Sequence, residues 1–311
     1  MSGRPVSSLK PYLALAGLAL IWGASFLLIK VAVHDMSPTV LLLIRSTSGL
    51  IALAVIVKLM GRPLLGEGWK TRLGSFAIMA VTNAIVPWVA IAWGEERITS
   101  GLASILNSTT TLWTAVLIFW AMPRERPSGI GYLGVLVGFA GVVILVLPDI
   151  LAHGVSGNFF GAMAVLLAAL SYATNAIYQR RKMRHVSVFD ISIGQLAATV
   201  IFAIPLAAPS LPHVHLAFTS MAAVVALGAG ATGVAYLLYY YVMNTLGAVR
   251  AAGVTLLVPV TAVFWGIVLL RESLTWTIVI GMAVILAGTI LTNLRRRVNR
   301  EPSLTRDSAA A

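Results

Sequence analysis

Ten apolar runs, each long enough to cross a lipid bilayer, dominate this 311-residue chain. They lie at 11–33, 38–60, 73–93, 99–122, 129–147, 158–179, 188–208, 217–241, 249–270 and 274–294, bounded by charge or by proline and glycine. A bilayer core about 30 Å thick needs roughly 20 apolar residues in a helix. Lipid offers no partner to a bare backbone, so each run must be helical. Hydrophobic residues make up 59% of the chain and charged residues 10%. A soluble domain carries roughly 25% charged residues, so this chain cannot cover a water-facing surface. The expected fold is an all-α membrane protein with ten transmembrane helices. The first run exceeds the apolar core of a cleavable signal, and many similar runs follow it.

Charge sorts along this frame. If the N-terminus lies in the cytoplasm, every lysine and arginine falls on the cytoplasmic side except Lys30, Arg97 and Arg271 outside and Arg45 within a span. Such a bias is the positive-inside signature, and it places both termini in the cytoplasm. The tail at 297–311, basic and then small and polar, reads as an orientation anchor against anionic membrane lipid. The net charge of +12 is dispersed between apolar runs and tails, so it makes no continuous patch for nucleic acid. No cysteine is present, which excludes disulfides, thiolate chemistry and cysteine metal sites.

The chain also repeats. Shifted by 147 residues, Arg124-Glu125 falls on Arg271-Glu272, Gly134 and Gly141 fall on Gly281 and Gly288, and Thr114-Ala115 falls on Thr261-Ala262. Nearer the start of each half the shift drifts to 149 or 150, which places Arg45 near Gln195. Five spans per half is an odd number, so the halves enter the membrane from opposite sides. The expected architecture is two inverted five-helix repeats, 1–150 and 155–296, followed by the tail. Inverted repeats are a recurrent transporter design with the substrate site near the midplane.

Several motifs resemble one family. Leu20-Ile21-Trp22-Gly23-Ala24-Ser25-Phe26 with Ile29-Lys30, then Arg45, then Trp93-Gly94-Glu95-Glu96, are similar to drug/metabolite transporters of the EamA type. So are the stretch from Ile98 to Thr109, Pro123-Arg124-Glu125, and the second Arg-Glu pair at Arg271-Glu272. The resemblance covers essentially the whole chain. It implies ten helices in two inverted halves that export amino acids, other metabolites or xenobiotics. Two positions depart from the family. Thr111 stands where the family usually has proline, which takes away the residue expected to kink the fourth helix. Val258 precedes Pro259 where many relatives carry glutamate, which takes away one proton-binding group.

Polar groups within spans are costly and are functional candidates. Asp and Glu are absent from the span interiors; Glu95, Glu96, Asp190 and Glu272 lie near span ends. This favours facilitated or weakly coupled movement over carboxylate-driven antiport, with proton-coupled multidrug efflux as the alternative. Lys30 reads either as a snorkelling lysine or as a cation at a cavity mouth. Arg45 reads as a clamp on neighbouring helices or as a substrate contact. Asn83 precedes Pro87-Trp88, where a proline bend would turn an amide and a carbonyl towards a cavity. Asn107, Thr110 and Thr111 make a polar stripe on the fourth helix; Ser171, Tyr172 and Asn175 make one on the sixth. With Trp22, Trp88, Tyr236 and Trp265 they describe an apolar, aromatic cavity with a few amides. Such a cavity suits an uncharged or zwitterionic small organic solute and no cofactor.

His213 and His215 form an H-x-H pair, but two ligands are too few for a metal site. No H-E-x-x-H, no G-x-S-x-G and no buried carboxylate pair supports a membrane-embedded lipid-modifying enzyme. The chain therefore reads as an inner-membrane exporter of amino acids or related amphipathic metabolites. It would work as a monomer by alternating access, with Pro87, Pro205 and Pro259 as candidate hinges.

Overall fold

A computed structural model of the chain describes residues 9–214, 217–247, 250–251 and 253–294. Arg4, His215, the arginines from Arg295 onward and the tail at 297–311 lie outside them. The described residues form ten membrane-scale helices and no strand. They are α1 Lys10–Ala32, α2 Pro38–Leu59, α3 Trp69–Glu95, α4 Ser100–Ala121, α5 Gly129–His153, α6 Gly157–Met183, α7 Val188–Pro212 and α8 Phe218–Leu246. The shorter α9 Val254–Leu270 and α10 Trp276–Leu294 complete the set. By length and apolar composition this is a ten-helix, multi-pass membrane protein.

Which helices touch follows a two-fold rule. α2 packs on α7, α5 on α10 and α4 on α9, and each of these pairs maps onto itself when the halves are exchanged. α1 packs on α8 and α9, and its counterpart α6 packs on α3 and α4. The glycines that match at a shift of 147 meet across this axis. A Cβ on Gly134 would come 2.7 Å from the Gly288 carbonyl oxygen, and one on Gly141 would come 3.0 Å from that of Gly281. Hydrogen in place of a side chain lets the two backbones touch.

Three helices are irregular in mid-span, and α6 ends in a π-turn at Gln179–Met183. In α3 the backbone widens to a π-turn at Val81–Ile85, with the Val86 amide donating to Val81 O. Pro87 has no amide to give to Asn83 O, so the regular ladder fails there. α8 has a matching π-turn at Ala229–Val234, where Gly230, Thr232, Gly233 and Val234 have weak helical preference. α4 is broken between Asn107 and Thr110, which corrects the expectation drawn from Thr111. The break needs no proline. Ser108, Thr109 and Thr110 each donate a hydroxyl to the carbonyl three residues back, at 2.6, 2.6 and 2.7 Å, and such bonds compete with the helical ladder.

α5 runs past its expected end, through Pro148, to His153. It stops at Gly154, whose φ of +70° suits glycine. Pro205 and Pro259 sit inside continuous helical segments.

The bundle has two unlike ends. We call the end where α1 begins and α10 finishes the terminus end, and the other the far end. Towards the far end one continuous apolar core joins all ten spans, through residues such as Phe26, Leu41, Ile91, Ile105, Val142, Val165, Ala207, Leu227, Val263 and Ile285. Towards the terminus end the buried residues divide into smaller separate clusters around α2–α7, α1–α8 and α3–α6. A cavity occupies the space between them.

Candidate functional site

The cavity measures about 530 Å³ and lies at mid-depth between the repeats. Its far wall is Phe26, Ile29 and Ile91, all buried. Towards the terminus end its lining continues to Gln179, Tyr239 and Thr255, which are only partly covered or exposed. It is thus closed at the far end and open towards the termini.

Seven of the eight side chains expected from the sequence to meet substrate line this space: Trp22, Asn83, Trp88, Asn107, Tyr172, Asn175 and Tyr236. The π-turns help place them. Ala231 O in the π-turn of α8 accepts from Trp22 Nε1 of α1 at 3.2 Å. Thr82 O in the π-turn of α3 accepts from Ser171 Oγ of α6 at 2.8 Å. The two bonds are repeat images, since a shift of 149 residues carries both Trp22 to Ser171 and Thr82 to Ala231. A π-turn leaves carbonyls without their usual donor, and here a neighbouring helix supplies it. Trp22 is thereby fixed with its ring 5.7 Å from that of Tyr239. Asn83 donates to Gln195 Oε1 at 3.0 Å, and Thr82 donates to Asn175 Oδ1 at 3.3 Å.

Trp265 does not line the cavity. It lies on the outer side of α9 with Nε1 donating to Leu20 O at 3.1 Å. The side of a helix that a residue faces depends on packing, which depth along a run does not reveal. Lys30 lies outside the cavity as well. Its ammonium donates to Glu95 O, at the end of α3, and, at 2.9 Å, to Ile98 O in the turn that follows. A cation at a helix C-terminus meets unpaired carbonyls and the negative end of the dipole. Lys30 therefore pins α1 to α3 at the closed end.

Arg45 lines the cavity. Its guanidinium carbon lies 3.8 Å from the centre of the Trp88 ring, a close cation–π contact. Glu95 departs from expectation. It ends α3, but its side chain turns inward, is fully buried, and has no hydrogen-bond donor on either carboxylate oxygen. It lies between Ile91, Ala92 and Ile98 in the chain, all members of the close-packed far-end core.

Glu272 spans the repeats at the same end. Its carboxylate accepts from the Ser100 amide at 2.7 Å and the Gly101 amide at 3.1 Å, capping α4 in a charge-assisted way. Its repeat partner Glu125 sits at the terminus end, 3.3 Å from Arg180, in a pair whose side chains are both 40% exposed. Like the apolar cores, these charged groups are drawn inward at the far end and opened to solvent at the terminus end.

The sequence did not single out Ser104, Thr232 and Leu196 as cavity lining, and it singled out Gln195 only as the repeat partner of Arg45. The small hydroxyl residues carry a weak signal, because most hydroxyls in membrane helices bond to their own helix.

The geometry can hold a small organic molecule among aromatic rings and amides. No carboxylate is among the lining residues, so nothing there favours a hard metal cation.

Comparison with known proteins agrees with this arrangement. The EamA-like transporter family matches residues 9–147 and 159–294. The uncharacterized transporter YoaV of Bacillus subtilis is 24% identical over 294 residues, covering 93% of this chain and 99% of its own. The uncharacterized inner membrane transporter YedA of Escherichia coli K12 is 26% identical over 290 residues, covering 90% of each. A Salmonella typhimurium protein named "Probable amino-acid metabolite efflux pump" is 27% identical over 299 residues, covering 91% of this chain and 94% of its own. A crystal structure with 21% sequence identity superposes with a TM-score of 0.65 over 94% of this chain and 99% of the other, which shows that the fold is shared. With the family matching nearly the full described length in two successive copies, the chain belongs to the EamA-like transporter family and is a membrane transporter, not an enzyme.

Proposed function

We propose that this transporter exports amino acids or related amphipathic metabolites across the inner membrane by alternating access. The repeats at 1–150 and 155–296 act as the two rocking halves, and the single chain is the working unit. The observation that carries this reading is the mid-depth cavity, lined from both repeats, closed at the far end and open at the other. The basic loops support a cytoplasmic terminus end, so the cavity is drawn in its inward-open form, ready to load solute from the cell. YedA is named an inner membrane transporter, and the Salmonella relative is named an amino-acid metabolite efflux pump. Both names fit this direction and this cargo.

Movement is facilitated or weakly coupled, because no lining residue is acidic. Efflux of radiolabelled amino acids from proteoliposomes at equal pH on both sides tests the reading. Saturable efflux above protein-free vesicles is expected; no efflux of any amino acid or amphipathic compound in a broad panel would end it. A second reading, proton coupling, rests on one observation, the fully buried Glu95 with no donor. Under that reading an imposed pH gradient drives accumulation and Glu95→Gln abolishes the effect. Under facilitation the gradient changes the rate alone.

A further inference from the structure

Two buried polar atoms, Arg45 Nε and Asn107 Oδ1, belong to side chains that line the central cavity and lack the partners their chemistry requires. Arg45 is 9% exposed, and no acceptor meets its Nε. Among the described residues it forms no ion pair within 4.0 Å. The ionisable groups around it are Tyr172, Tyr236 and Glu95. Opposite in character is Asn107 on α4, whose Oδ1 is buried, lines the same cavity, and has no donor. The Ser104 hydroxyl, one turn away on the same helix, is likewise buried without a partner.

Buried polar groups in native proteins are almost always satisfied, and each exception calls for a missing ligand, ion or water. A buried charge is costlier still without a counter-charge. Trp88 covers one face of the guanidinium but supplies no hydrogen-bond acceptor at Nε. The edge of the guanidinium, where its N–H groups lie, is left for an acceptor. That edge is a planar fork that fits a carboxylate in bidentate fashion. Among the described residues no carboxylate takes the position.

We propose that Arg45 is the substrate-binding cation of this cavity, that it holds the carboxylate of the transported solute, and that Asn107 receives the same solute's ammonium group. The solute is then a zwitterionic α-amino acid or a compound of like charge pattern. This rests on the transport reading above and narrows its substrate class. The Trp22–Tyr239 pair and the Tyr172 ring supply apolar walls for the side chain. Their aromatic character favours a bulky apolar or aromatic side chain over a small polar one. An ammonium group needs no carboxylate here; an amide oxygen and nearby ring faces can receive it.

The test compares solute analogues on the unaltered protein, so it does not depend on whether a variant folds. Proteoliposomes are loaded with radiolabelled L-phenylalanine or L-leucine, and competition is measured with four probes. These are the parent amino acid, its amide, its decarboxylated amine and its 2-oxo acid. The parent is expected to compete best and the 2-oxo acid next. The amide and the amine, which lack the carboxylate, are expected to be weaker by about 100-fold, the scale of losing a buried charged hydrogen-bonded partner.

Two variants then place the effect. Arg45→Gln should abolish the discrimination between acid and amide, and Arg45→Lys should restore part of it. Asn107→Ala should weaken the amino acid while leaving the 2-oxo acid unchanged. His34→Ala, in an exposed far-end turn, serves as the control. Amides and amines that compete as well as acids, with efflux intact, overturn this inference and leave the transport reading standing. An Arg45→Gln protein that still prefers acids also overturns it. No movement of any probe removes the transport reading itself.

Discussion

Trp22 illustrates how single atoms set up this site. Its indole N–H closes the carbonyl that the π-turn of α8 leaves open, and its ring is held against Tyr239. Trp22→Phe keeps a ring but removes the donor. A lost intramolecular hydrogen bond costs about 1 kcal/mol, and more when the remaining group is buried. We expect a lower thermal-unfolding midpoint in detergent and weaker solute binding. Ser171→Ala removes the equivalent bond to Thr82 O in the other repeat, and a similar drop in midpoint is expected. Unchanged midpoints in both variants would mean that the π-turn carbonyls find other partners. At this scale the sequence is informative where a polar or aromatic residue stands deep in an apolar run. Asn83, Asn107, Asn175 and the aromatic residues around them reach the cavity on that signal alone. Trp265 has the same depth but faces away, and Glu95 at a span end is fully buried. Depth along a run is written in the chain; the side a residue faces is decided by its neighbours.

Helices α5 and α10 form the tightest element pair, and glycine makes their contact possible. A Cβ on Gly288 would lie 2.4 Å from the Gly138 nitrogen and 2.6 Å from the Gly134 carbonyl oxygen. Gly288→Leu should therefore push the two helices apart. Overpacking costs typically about 1–3 kcal/mol and sometimes more, to be read as a lower unfolding midpoint and poor recovery from detergent. A variant as stable as the parent would contradict the close contact. The same glycines make the repeat legible in the amino-acid sequence, because their spacing recurs at one shift. Irregularities within helices are less legible. The π-turn beside Pro87 follows from proline chemistry, but the break in α4 arises from three successive hydroxyls. Such residues are common in regular helices too. Glu272 makes the second element-scale prediction. Its two bonds to the start of α4 hold the far end together. Glu272→Gln keeps the shape and removes the charge, so it should loosen that end and raise the outward-open population. A cysteine placed at Ile29 or Ile91 reads this out, since the protein has no cysteine of its own. Labelling by a membrane-impermeant maleimide from the far side should be slow in the parent and faster in Glu272→Gln.

The whole molecule is an asymmetric form of a symmetric design. Its helix contacts and its two π-turn bonds obey the exchange of halves, yet one end is closed by a continuous core and the other is open. Exchanging the conformations of the two halves turns this form into its mirror state, with the cavity facing the far side. Such an exchange is the alternating access proposed above. The fold class, the number of helices and the sense of the repeat can all be read from the spacing of apolar runs. The state of the cavity cannot, because it depends on how the helices pack at each end.

The central claim is that the two ends open in opposition, and paired distances test it most directly. Spin labels at Lys58 of the first repeat and Arg181 of the second, both exposed at the terminus end, report on the open mouth. Labels at His34 of the first repeat and Ser273 of the second, both exposed at the far end, report on the closed one. Pulsed electron resonance in liposomes is then recorded with and without saturating solute. The account predicts two populations in which the terminus-end pair shortens as the far-end pair lengthens. Distances that stay fixed with solute present, or that lengthen together at both ends, would contradict it.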